Sequence, residues 1–166
     1  EGDNLRAHEP AMADHVAGGI FFPHERQIRS ETLTPGLVDR SRQLGVTFRE
    51  HCAFEGIVTD GARVTAVRTT EGQIPCDRVV LAAGVWSGIL SRAFGTRLAI
   101  EAGKGYSIEY AQAPVTLRSP IAFTERKVVA TPLGSALRLA GTMEFAGLDS
   151  AVNATRAKAI QRGPTE

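Results

Sequence analysis

The stretch Val79 to Phe94, VVLAAGVWSGILSRAF, constrains the fold more than any other part of the chain. Val79, Val80 and Leu81 form a continuous apolar run, the pattern of a strand buried on both faces. Ala82-Ala83-Gly84 then removes side-chain bulk where the chain must turn. Trp86, Ile89, Leu90 and Phe94 recur at helical spacing, and Gly95 stands where a left-handed C-terminal cap belongs. A strand, a small-residue turn and a helix in this order bring backbone N–H groups and the positive end of a helix dipole to one junction, which suits a phosphate. The same succession serves as plain packing in any parallel α/β protein, so the pattern alone leaves both readings open.

The flanking segments fill in a mixed α/β (α+β) architecture. Gly18 to Pro23 reads as a short buried strand, followed by a loop or edge segment from His24 to Ser30. Thr34-Pro35 is a helix start, with Thr as N-cap and Pro at the first helical position. The helix carries Leu37, Val38, Ser41 and Leu44 on one face and ends at Gly45. Its polar face, Asp39, Arg40, Arg42 and Gln43, reads as solvated surface.

Strands are predicted at Val46 to Phe48, Phe54 to Val58, Arg63 to Thr69 and Gln73 to Cys76. Asp60-Gly61 and Glu71-Gly72 turn them into an antiparallel meander ahead of the strand at Val79. After Gly95, Lys104 to Tyr110, Ile121 to Thr124, Lys127 to Thr131 and Ala136 to Thr142 read as a second antiparallel sheet, with a turn at Pro132-Leu133-Gly134-Ser135. A helix over Ala151 to Gln161, capped by Asp149 or Ser150, closes the chain. The divisions expected are residues 1–33, 34–97, 98–150 and 151–166.

Composition narrows the function classes. Nineteen Lys plus Arg against eighteen Asp plus Glu, over 166 residues, give a formal charge of +1 and no electrostatic argument for nucleic acid or an anionic membrane. Cys52 and Cys76 stand far apart, and His8, His15, His24 and His51 lack ligand spacing, so no metal is expected and the thiols read as reduced and buried, as in a cytosolic protein. No apolar run reaches membrane-spanning length and EGDNLRAHEP lacks the regions of a signal peptide. Glu1 in place of an initiator Met, and a polar stretch to Ala17 without periodicity, read as the interior of a larger protein.

The ordered pieces GGIFFP, the TPGL helix ending in LGV, FEGIVTDGARVTAVRTTEG, VVLAAGVWS, GKGYSIEY and TPLGSALRLAGTMEFAG resemble the FAD-dependent D-amino-acid and glycine oxidase or dehydrogenase family. The resemblance runs from about Ala17 to Asp149. It implies part of a Rossmann-like FAD-binding domain carrying the β-meander, over residues 34–97. An antiparallel-sheet substrate domain would follow over 98–150, with 1–33 contributing to it and 151–166 a truncated helix. The family's GxGxxG turn and its substrate-clamping Arg motif have no counterpart here, so by itself this stretch is expected to bind FAD poorly and to be inactive, its partner being the remainder of its own parent chain.

The resemblance places Phe54, Ala82, Ala83, Gly84 and Trp86 at the cofactor and Tyr106, Val129 and Met143 at the substrate; it assigns no catalytic residue. Each has a plainer reading beside it: Phe54 as strand core, Trp86 as the anchor of its helix, Tyr106 as sheet packing, Met143 as a gap-filler. Arg138 reads as a carboxylate clamp or, on an alternating strand, as easily as a solvated face. The reaction implied is hydride transfer from the α-carbon of a small amine or D-amino acid to flavin, in a cytoplasmic enzyme or, for a dehydrogenase, one peripheral to the inner membrane. The alternatives are the same scaffold acting on a 2-hydroxy acid or glycerol phosphate, and a non-catalytic binding module.

Overall fold

The computed structural model describes residues 2–165, with side chains from 4 to 164. In chain order the elements are α1 (Gly2–His8), α2 (Ser30–Gln43), β1 (Phe54–Asp60), β2 (Arg63–Thr69), β3 (Gly72–Pro75), α3 (Ser87–Leu90), β4 (Lys104–Tyr110), β5 (Ile121–Phe123), β6 (Val128–Leu133), β7 (Ala136–Glu144) and α4 (Ala154–Arg162). The chain divides into one unit over Ile28–Ala102 and a second made of Glu1–Gln27 with Gly103–Glu166. The fold is mixed, and both of its sheets are antiparallel.

In the Ile28–Ala102 unit, β1, β2 and β3 pair in sequence order as the predicted meander. Gly61 and Gly72 adopt φ of 58° and 111°, the left-handed conformations that tight turns demand and glycine supplies without strain. Helix α2 starts at Ser30, five residues before Pro35, the expected first helical position. The N–H groups of Thr32 and Leu33 both donate to Arg29 O, closing the first turn before Pro35, which sits inside the helix. At the other end, Gly45 N–H donates to Arg42 O and Val46 N–H to Ser41 O, the paired bonds of a Schellman cap. That cap consumes the Val46 N–H, so the strand predicted at Val46 does not form.

The strand predicted at Val79–Leu81 is also absent. A parallel strand exists only through ladder bonds to its neighbours, and among the described residues none pairs with it; Val80 is 87% exposed. Gly18 to Pro23 likewise forms no strand: Ile20, Phe21 and Phe22 are exposed, and Phe21 stacks on the ring of His8 at 5.1 Å. The helical run after Gly84 is split into a 3-10 turn (Gly84–Trp86), α3 and a second 3-10 turn (Ser91–Phe94). Gly95 closes it in the left-handed region at φ 66°. Its inward face carries the buried Ser87 and Ser91, while Trp86 is 59% exposed, so the expectation that Trp86 anchors this helix is corrected.

In the other unit the sheet order is β4-β7-β6-β5. Its inner face holds Tyr106, Val128, Ala130, Leu137 and Leu139, and α4 lays the fully buried Ile160 against them. Helix α4 begins at Ala154, with Asn153 Oδ1 accepting from the N–H groups of Thr155 and Arg156; Asp149 instead accepts from Ala151 N–H. Buried Glu9, just past α1, accepts from Arg118 N–H at 2.8 Å and ties the N-terminal segment to the loop after β4. Cys52 and Cys76, expected buried, are half-buried and unpaired, because each lies beside an exposed strand end rather than in a core.

Candidate functional site

The outer face of the β4-β7-β6 sheet is the first candidate surface. Cross-strand partners share a face, and three registers define this one: Gly105 opposite Met143, Ser107 opposite Ala140 and, on the next strand, Val129 opposite Ala140. Met143 is 58% exposed and Val129 is exposed as well. A Cβ built on Gly105 would meet nothing within 4 Å, whereas one on Gly103 would come within 3.0 Å of Met143 Sδ. The thioether thus lies along a glycine-lined edge, an apolar, adaptable surface with open main chain beside it. Farther along the same face Arg138 donates to Glu109 from both Nε (3.1 Å) and Nη2 (2.8 Å), so this Arg, read as a clamp or as a solvated face, is held in a two-pronged ion pair.

Tyr106 stands on the opposite, inner face and is 8% exposed. Its hydroxyl donates to Glu144 Oε2 and accepts the Asn153 N–H at 3.2 Å. Lys104 Nζ and Arg156 Nε each lie 3.7 Å from the same Glu144 oxygen. Lys104 also donates to the carbonyls of Asp149 (3.0 Å) and Ala151 (2.7 Å), and Arg156 Nη1 donates to Met143 O at 3.2 Å. The Tyr106 hydrogen bond, reinforced by the charges of Lys104 and Arg156, holds the Glu144 carboxyl below its ordinary value against the opposing effect of desolvation. Structure therefore puts Val129 and Met143 on one face of the sheet and Tyr106 on the other, in a network that clamps the chain entering α4 to the sheet end.

Sequence reasoning missed Glu144, Lys104, Arg156 and Asn153. Asn before ATRAKAIQR is a legible N-cap. The other three meet only through sheet register, which no spacing discloses.

The second candidate surface is the junction after β3, in the Ile28–Ala102 unit. Ala82 and Gly84 are exposed; Gly84 has φ 55°, and a Cβ there would meet nothing within 4 Å. The Ala83 N–H, offered to a phosphate by the sequence pattern, donates to Ser87 Oγ at 3.0 Å, and the helix it precedes is a single α turn with little macrodipole. Close main-chain approach, rather than a helix N-terminus, is what this junction provides. Phe54 is half-buried and its ring stacks on Phe94 at 5.8 Å and 7°, joining β1 to the helical run. Among the described residues no three His, Cys, Asp or Glu side chains cluster as a metal site, and no helix is long and apolar enough to cross a membrane.

This fold is shared with solved structures. Glycine oxidase from Bacillus cereus superposes with a TM-score of 0.83 at 23% identity, over 97% of this chain and 45% of that one. L-proline dehydrogenase from P. horikoshii follows at 0.73 and 16%, over 80% and 37%. Sequence carries the comparison further. D-amino acid dehydrogenase from Paramagnetospirillum magneticum is 36% identical over 160 residues, covering 92% of this chain and 37% of that protein. Glycine oxidase from Pseudomonas putida is 36% identical over 158 residues, covering 95% and 43%. Residues 1–163 match the FAD dependent oxidoreductase family, and the chain belongs to it. It spans about two fifths of the length of these curated relatives. The residues present fit FAD: at Gly84, in the Ile28–Ala102 unit, a Cβ would meet nothing within 4 Å, so a close-fitting group can reach the main chain there.

Proposed function

We propose that the full-length protein is an FAD-dependent oxidoreductase that oxidises the C–N bond of a small amine or D-amino acid. The observation that carries this reading is the open sheet face on which Met143 pairs with Gly105 beside Val129, in a chain of this family. Bound FAD supplies the two-electron oxidation. Met143 and Val129 wall the apolar part of the substrate, exclude water from it and orient its α-carbon, while Tyr106 supports the face from behind rather than touching substrate. Ala82, Ala83 and Gly84 let the cofactor approach the main chain, with Trp86 exposed beside them; Phe54 holds β1 to the helical run and presents its own backbone.

In this reading residues 34–97 belong to the cofactor domain, and 98–150 with 1–33 to the substrate domain, followed by 151–166. The names of the relatives support an amino-acid substrate, and the two unpaired cysteines support a cytoplasmic location.

The test is the visible spectrum of the full-length protein. Yellow protein whose absorbance bleaches anaerobically with a D-amino acid or glycine, and not with 2-hydroxy acids or glycerol phosphate, supports the reading. Colourless protein that takes up no flavin overturns it.

A further inference from the structure

Between the pairs Tyr106 with Gly141 and Gly105 with Met143, β7 holds one residue more than β4, and that residue is Thr142. It is a β-bulge. Leu137, Leu139 and Gly141 face inward with Tyr110, Ile108 and Tyr106. Strict alternation would continue this with Met143 inward and Glu144 outward. The extra residue reverses both: Met143 pairs with Gly105 on the open face, and Glu144 pairs with Lys104 on the inner face, where it reaches Tyr106 and Arg156.

The bulge is held at a local penalty. Thr142 has φ 53°, a left-handed conformation that a β-branched residue rarely adopts, and its Oγ1 is buried with no hydrogen-bond partner among the described residues. Across the ladder Lys127 also has φ 55°, and its carbonyl would lie 2.5 Å from a Cβ on Gly141, so the main chain is closely packed at the residue before the bulge. Strain and an orphaned hydroxyl at one residue, beside the exposed Met143, are the marks of a position kept for function.

We propose that Thr142 is a positioning residue: its left-handed bulge is the switch that delivers Met143 to the substrate face and Glu144 to the clamp that fixes that face. The inference rests on the reading of the open face as the substrate surface. It assigns the work to the extra backbone unit and not to the threonine hydroxyl.

The test uses the full-length protein, free of substrate, as wild type, with Thr142 deleted, and as Thr142→Gly. Brief peroxide treatment followed by peptide mass spectrometry reads the rate at which Met143 becomes sulfoxide. Wild type and Thr142→Gly oxidise at the same rate; the deletion, with Met143 turned into the core, oxidises severalfold more slowly. Thr142→Gly melts higher by about 2–4 °C because strain and the orphaned hydroxyl are removed. The deletion raises KM for the amine about tenfold with a smaller change in kcat, as expected for one lost apolar contact, and Thr142→Gly retains the wild-type KM.

Should the deletion fail to fold, the glycine variant still decides: a lower melting temperature or a raised KM in Thr142→Gly overturns the proposal. So does equal Met143 oxidation in a folded deletion, or slowed oxidation with KM unmoved. Failure of the functional reading shows separately, as colourless protein, and leaves peroxide reactivity and melting to decide on the bulge.

Discussion

The hydroxyl of Tyr106 accepts the backbone N–H of Asn153 at 3.2 Å, fastening the cap of α4 to the strand that lies beneath it. The same hydroxyl donates to Glu144, so a single oxygen joins the helix cap to an ion-pair cluster. Tyr106→Phe removes the oxygen and leaves a backbone donor and a carboxylate short of partners. We expect a loss of about 1–3 kcal/mol in urea denaturation, with little change in flavin affinity. An unaltered midpoint would show that the oxygen contributes nothing.

Acid should expose the same cluster. The Glu144 carboxyl is held below its ordinary value, first by the Tyr106 hydrogen bond and then by Lys104 and Arg156. A carboxylate depressed in the folded state contributes stability that is complete above its unfolded pKa of about 4.3 and is lost as pH falls through the lower folded value. The stability gap between wild type and Glu144→Gln should therefore be constant near neutrality and narrow below about pH 4. Urea midpoints at several pH values check this, and a gap that stays constant into strong acid would contradict it.

Two glycines on one sheet should behave oppositely. A Cβ on Gly141 would meet Lys127 O at 2.5 Å and Val128 Cγ2 at 3.2 Å, with backbone on one side unable to yield. Gly141→Ala should destabilise by about 1–3 kcal/mol. A Cβ on Gly105 meets nothing within 4 Å. Gly105→Ala should leave the melting temperature within about a degree of wild type and instead weaken amine binding, because the new methyl stands on the face beside Met143. Thermal melts and substrate titrations on both variants separate the two effects.

Gly84 tests the cofactor junction. Its φ of 55° penalises any L residue, and open space around it removes clash as a cause. Gly84→Val should cost about 1–3 kcal/mol of stability and lower flavin affinity in the full-length protein by more than that strain alone transmits. A Val variant that titrates with FAD as tightly as wild type would remove the junction from the cofactor site.

Gly36 supplies the contrast, in the interior of α2 with ordinary helical φ and nothing within 4 Å of a Cβ. Gly36→Ala should raise stability by about 0.5–1 kcal/mol through helix propensity. Equilibrium denaturation reads the sign directly.

How much of this was legible follows from the range of the interactions involved. The meander β1-β2-β3 and strands β4 to β7 were readable because alternation and glycine turns are local, and their limits agree with expectation to within a few residues. The segments Gly18–Pro23 and Val79–Leu81 carry the pattern of strands and form none. Apolar, β-branched composition marks a chain that can pair, but pairing needs a neighbour, and none of the described residues supplies one. Helix α2 begins ahead of its Thr-Pro signal because bonds to Arg29 O, one turn earlier, override that local start.

The candidate site divides the same way. Gly84, Ala83, Met143 and Val129 stand out as small or apolar residues at family-like positions, whereas nothing local singles out Glu144, Lys104 and Arg156.

Sequence by itself determined the mixed class, the two antiparallel sheets and the family, since each is encoded in residues near one another along the chain or in ordered motifs. Tertiary structure alone decided which face each residue of β7 presents. A period of two predicts Met143 beside Leu139, and one bulged residue, Thr142, places it beside Ala140 and Val129 instead. The physical reason is that an alternating pattern fixes relative direction only while the register is unbroken. A single extra backbone unit, stabilised by hydrogen bonds to a strand some forty residues away, inverts every side chain beyond it.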